Sequence, residues 1–134
     1  MAMKRMTKAD HPSALGAFKP VGHVVLALRG DAEADATARA LLEAGFDDED
    51  IVRYSAAEEL DEMERMLQYT SEFAGFGYEV SLMREYHRLA RSGAAWLVVY
   101  APDAAHTVRI AGVARRQRAL LAQKYHRWAI EDLL

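Results

Sequence analysis

Residues 21–54, VGHVVLALRGDAEADATARALLEAGFDDEDIVRY, carry three patterns in succession. VGHVVLALR is short, apolar and rich in Val, led in by Lys19-Pro20 and bounded by Gly30, which predicts a buried strand. Asp31 follows as the expected N-cap, with Glu33 and Asp35 near the positive end of a helix dipole. Ala34, Ala38, Leu41 and Leu42 then recur at helical spacing. Gly45 falls where a left-handed C-terminal residue is wanted, and Phe46 is placed to fold back onto the helix. After the acidic turn DDED, IVRYS reads as a second strand. The stretch is a β-α-β unit.

Working outward, Ser55-Ala56-Ala57-Glu58 matches a capping box, and Leu60, Met63 and Leu67 form the stripe of the helix it starts. Gly75 and Gly77 interrupt that helix. A second one is expected from about Tyr78 to Arg91, with Leu82, Tyr86 and Leu89 on one face and Ser92-Gly93 as its stop. AAWLVVYAP, ended by Pro102, is the clearest strand of the chain. Asp103 is placed to cap a further helix in which Ala104, Val108 and Ala111 share a face. Periodicity leaves the end, KYHRWAIEDLL (124–134), open. As a strand it puts Lys124, His126, Trp128 and Ile130 on one side; as a helix it makes a stripe of Leu121, Tyr125 and Trp128. Residues 1–19 lack periodicity and read as a flexible tail, leaving 20–134 as a single domain with a helical insertion at about 56–91.

The run VGHVVLALRGDAEADATARALLEAGFDDEDIVRYS resembles the opening of small bacterial proteins related to the general-stress or heat-induced-stress family. LAQKYHRWAIEDL is similar to their closing strand. The resemblance covers mainly residues 21–54 and 94–132. The helical middle departs from it, lacking the Gly-rich apolar stretch often found there. It implies a second β-α-β unit from Trp96 to about Ile130, and so an α+β, ferredoxin-like sandwich with an antiparallel four-stranded sheet ordered 4-1-3-2. A link to stress responses follows from the resemblance alone, and it carries over no catalytic residue.

At 134 residues, 51% hydrophobic and 28% charged, the chain fits one globular domain and not a disordered one. A net charge of −3 argues against nucleic acid as a partner. There is no cysteine, which removes disulfides, thiolate metal sites and Cys nucleophiles and fits a cytoplasmic protein. The first residues carry basic groups without an apolar core, so no secretory leader is expected, and no apolar run is long enough to span a bilayer. Acids dominate residues 31–64, whereas 104–130 contains only bases among its charged carboxylate and cationic groups. That asymmetry suits solvated helix faces or association between unlike halves of two copies.

The five histidines form no H-x-x-x-H or H-E-x-x-H pattern, so neither a metal nor a cofactor is expected. No catalytic residue is assigned. On a continuous strand, His126 would point away from Arg127 and Glu131, which weakens an acid–base reading of that cluster. Arg84, Arg88 and Arg91 make a basic helical stripe, with Glu85 placed to pair with Arg88. The first strand's Val24, Leu26 and Leu28 should face the helices. That leaves His23, Val25 and Ala27, with Trp96 and Tyr100 of the third strand, on a second face too apolar to stay in water.

Two functions compete. One is a non-catalytic domain that self-associates as a dimer through Trp96, Tyr100 and Trp128. The other is a small-molecule-binding or enzymatic domain with a pocket between the sheet and the inserted helices, using His23, Tyr86, His87 or His126.

Overall fold

The computed structural model describes residues 5–7, 20–61, 64 and 77–134, with side chains from 84 onward in the last of these stretches. Its elements are β1 (His23–Leu28), α1 (Asp31–Glu43), a 3-10 turn (Asp48–Asp50) and β2 (Ile51–Tyr54), followed by a helical segment at 56–61. Then come α2 (Gly77–Arg91), β3 (Ala95–Tyr100), α3 (Ala104–Arg116), β4 (Leu121–Tyr125) and β5 (Ile130–Asp132). The strands form one sheet in the order β2-β3-β1-β4-β5, every neighbouring pair antiparallel. The fold is α+β.

Five strands stand where the sequence led us to expect four. The end of the chain is neither one strand nor a helix: β4 stops at Tyr125, the chain turns, and β5 returns along it in the register Lys124 to Glu131 and Tyr125 to Ile130. The His126 amide closes this turn on the Ala129 carbonyl at 2.8 Å.

Local signals account for most of the other boundaries. The 55–58 capping box is present, with the Glu58 amide donating to Ser55 Oγ and the Ser55 amide to Glu58 Oε1, each at 3.1 Å. Gly45, at φ +102°, ends α1 and lets the Phe46 amide reach the Leu41 carbonyl at 3.1 Å, so that Phe46 is buried under the helix. Gly30, not Asp31, is the N-cap of α1. The Asp31 carboxylate instead accepts the Ala56 amide at 2.9 Å, tying the start of α1 to the start of the next helical segment.

The sheet has a core on each face. Val24, Leu26 and Leu28 of β1, with Leu97 and Val99 of β3, pack against Ala38 and Leu41 of α1 and Ile110, Val113 and Ala114 of α3. Val108, whose spacing placed it on one face with Ala104 and Ala111, is 71% exposed; α3 turns Ile110, Val113 and Ala114 to the sheet instead. On the other face, Val25, Ala27, Trp96, Val98 and Tyr125 pack against Tyr86, Leu89 and Ala90 of α2. Residues 5–7, within the segment read as a tail, lie against this side. Met6 is buried in the second core, and Arg5 pairs with Glu49 at 2.8 Å and Asp50 at 3.0 Å. The rest of 1–19, and Met63 and Leu67 of the expected helical stripe, lie outside the described residues. The second sheet face thus acquires its cover from the same chain.

Candidate functional site

At one end of the sheet three chain segments converge. Gly22 adopts φ +83°, a conformation costly for a side-chain-bearing residue, and links both neighbours of β1. Its amide donates to the Tyr125 carbonyl at 2.9 Å, and its carbonyl accepts the Ala101 amide at 2.8 Å. The chain leaving β3 reaches Pro102 and begins α3 directly beside the end of β4, while the β4–β5 turn folds over the same end. Between them lies a cleft of about 670 Å³. Val21, Pro102, Ala104 and Val108 give it apolar walls; Asp103, Thr107, Lys124, His126, Arg127 and Glu131 supply its polar groups.

Lys124 occupies an inward position of β4, opposite Val24, and is only 5% exposed. Its stem is therefore packed and its ammonium donates to the Ala101 carbonyl and, at 3.1 Å, to Thr107 Oγ1. Burial pushes its pKa down, and the more distant negative charges of Asp103 and Glu131 only partly oppose that. Asp103 caps α3: its carboxylate accepts the His106 amide at 2.8 Å and faces His106 Nδ1 at 2.6 Å. These hydrogen bonds, the side-chain one foremost, hold its carboxyl below the usual range. His126 Nε2 lies 2.9 Å from Glu131 Oε1. The turn after Tyr125 brings these two together, correcting the expectation that they point apart. Arg127 carries its guanidinium 5.9 Å from the ring centre of Trp128, which at 90% exposure stands clear of the fold.

The remaining candidates are dispersed. His23 is 1% exposed on the second face; its ring lies tilted against Tyr100, with ring centres 5.2 Å apart. Its Nε2 accepts the Met6 amide at 2.9 Å, so its Nδ1 carries the proton and donates to the Val21 carbonyl at 3.0 Å. Burial lowers its pKa, and the nearby Lys124 charge acts in the same direction. Tyr86 joins a buried relay, its hydroxyl 2.6 Å from Gln123 Oε1 and 2.9 Å from the Tyr125 hydroxyl. His87 lies with Nε2 3.8 Å from Glu64, beyond hydrogen-bond length. Trp96 is 2% exposed, its ring 5.1 Å from Tyr86, and offers a partner no surface while α2 is in place. Of the four ligand-binding candidates, His126 alone lines the cleft.

Sequence reading missed Lys124, Asp103 and Thr107 as site residues. Their one signal was a lysine at a core-facing strand position, visible only once the register of β4 was known. Among the described residues no group of three or more His, Asp or Glu side chains could hold a metal ion, and no helix is long and apolar enough to cross a membrane. Comparison with protein-family models, curated proteins and solved structures finds no match to this chain.

Proposed function

We propose that this chain is a small-molecule-binding domain of ferredoxin-like architecture, with its site in the cleft at the strand ends and without a catalytic step. The first four strands, read from β4 across the sheet, follow the order 4-1-3-2, and each half of the chain supplies a β-α-β unit; both support the architecture. A stress-related role rests on the resemblance of residues 21–54 and 94–132 alone.

The observation that carries the binding reading is Lys124, a buried ammonium lining a mostly apolar cleft of ligand-sized volume. The acid–base groups beside it are already committed in pairs, His126 with Glu131 and Asp103 with His106, which favours binding over proton transfer. Titrating the full chain with a set of small organic fragments, followed by amide NMR shifts, tests it. Perturbations should cluster at Thr107, Lys124 and Arg127. Shifts confined to other surfaces defeat the reading.

A second reading, self-association as a dimer, is favoured by the exposure of Trp128 on the β4–β5 turn. It no longer draws on an open sheet face, which α2 covers. Light scattering at micromolar concentration should then give a dimer that Trp128→Ala converts to monomer. A monomeric wild-type protein rejects it.

A further inference from the structure

The cations and carboxylates of the cleft are not paired with one another. Both carboxylates, Asp103 and Glu131, face imidazoles within hydrogen-bond distance. Lys124 has no carboxylate within 4 Å among the described residues, and Arg127 has no ion pair there either. Of the three donors on the Lys124 ammonium, two are used, on neutral oxygens, and the third is left for something else. A buried cation whose counter-charges lie beyond ion-pair distance is costly, and an anion entering the cleft in direct contact with it lowers that cost.

We propose that the cleft takes a small organic monocarboxylate, its carboxylate held by Lys124 and Arg127 and its apolar body lying against Val21, Pro102 and Val108. This rests on the cleft being a binding site, as argued above. The choice of class follows from the lining. A cation meets carboxylates that already accept hydrogen bonds from imidazoles and is repelled by Lys124 and Arg127. A neutral acceptor can take the third Lys124 donor but leaves its charge uncompensated. A dianion such as phosphate would have to approach Asp103 and Glu131, which flank the same space, and would gain nothing from the apolar walls. A single negative charge on an apolar body satisfies both halves of the site.

The test compares benzoate, octanoate, benzamide and inorganic phosphate on the full chain by calorimetry and amide NMR shifts. Benzoate and octanoate should perturb Thr107, Lys124 and Arg127, and benzoate should bind about tenfold more tightly than its neutral isostere benzamide, the gain expected of a charge-assisted hydrogen bond. Lys124→Met should weaken benzoate by more than it weakens benzamide and so remove that preference. Arg127→Ala, at an exposed position where folding is not at stake, should weaken benzoate several-fold in the same selective way. Equal affinity for benzoate and benzamide, or tighter binding of phosphate, overturns the carboxylate assignment and leaves the cleft as a site for another class. Failure of all four probes to perturb the cleft overturns the carboxylate assignment, and the fragment titration above then decides the cleft reading by itself.

Discussion

Arg118 shows at the scale of one residue how the fold accepts a local cost. It sits at φ +57°, the one non-glycine residue with positive φ among those described, where α3 gives way to β4. There the Ala119 amide reaches back to the Ala114 carbonyl at 2.9 Å, a geometry that usually recruits glycine. Arg118→Gly should relieve the strain and raise stability by about 0.5–1 kcal/mol, the αL penalty less the added freedom of glycine in the unfolded chain. Urea unfolding with an unchanged m-value would read this directly; a loss of stability would mean that the arginine makes a contact worth more than the strain. Gly45 illustrates the converse, a positive-φ position already occupied by the residue that suits it, and its role was legible from the sequence.

Among the elements, β3 decides the most. It lies between β1 and β2, and its alternate side chains feed both cores, Leu97 and Val99 one way and Trp96 and Val98 the other. Alternation in AAWLVVY made this division readable in advance. What covers Trp96 was not readable, because α2 belongs to a part of the chain whose placement depends on tertiary packing. Trp96→Ala should cost about 3–5 kcal/mol in chemical unfolding, the loss usual for a large aromatic removed from a packed interior. A cost near zero would show that α2 does not pack on the sheet as described. The β4–β5 hairpin was missed for a related reason: its turn, HRWA, contains neither Gly nor Pro, so no turn signal divided the two strands.

For the molecule as a whole, pH acts through His23. The folded chain keeps this imidazole at the start of β1 neutral, buried against Met6 and Tyr100, with both ring nitrogens engaged. The unfolded chain protonates it below its ordinary pKa of 6.5, whereas the folded value is lower. Across the interval between those two values the unfolded state binds more protons, so stability falls as pH is lowered from about 6.5, by at most about 1.4 kcal/mol per pH unit from this group. The same titration threatens the anchoring of residues 5–7, since a protonated Nε2 no longer accepts the Met6 amide. Unfolding free energies at pH 8, 6.5 and 5 should show this acid limb, and His23→Gln should flatten it. An unchanged limb in that variant would assign the acid sensitivity to the carboxylates.

The amino-acid sequence by itself determined the β-α-β opening, the caps at Ser55 and Asp103 though not that of α1, the stop at Gly45, and the two unlike faces of β1 and β3. These follow from hydrophobic period and from residues with restricted backbone preferences. Tertiary structure decided the rest. It folded the chain end into a hairpin, covered the aromatic sheet face with α2, and assembled a cleft from segments that meet only at the sheet's end. Lys124, Asp103 and Thr107 come from two elements, and their meeting depends on the register of β4 against β1. That register is fixed by burial of many side chains at once, and no local pattern in the sequence encodes it.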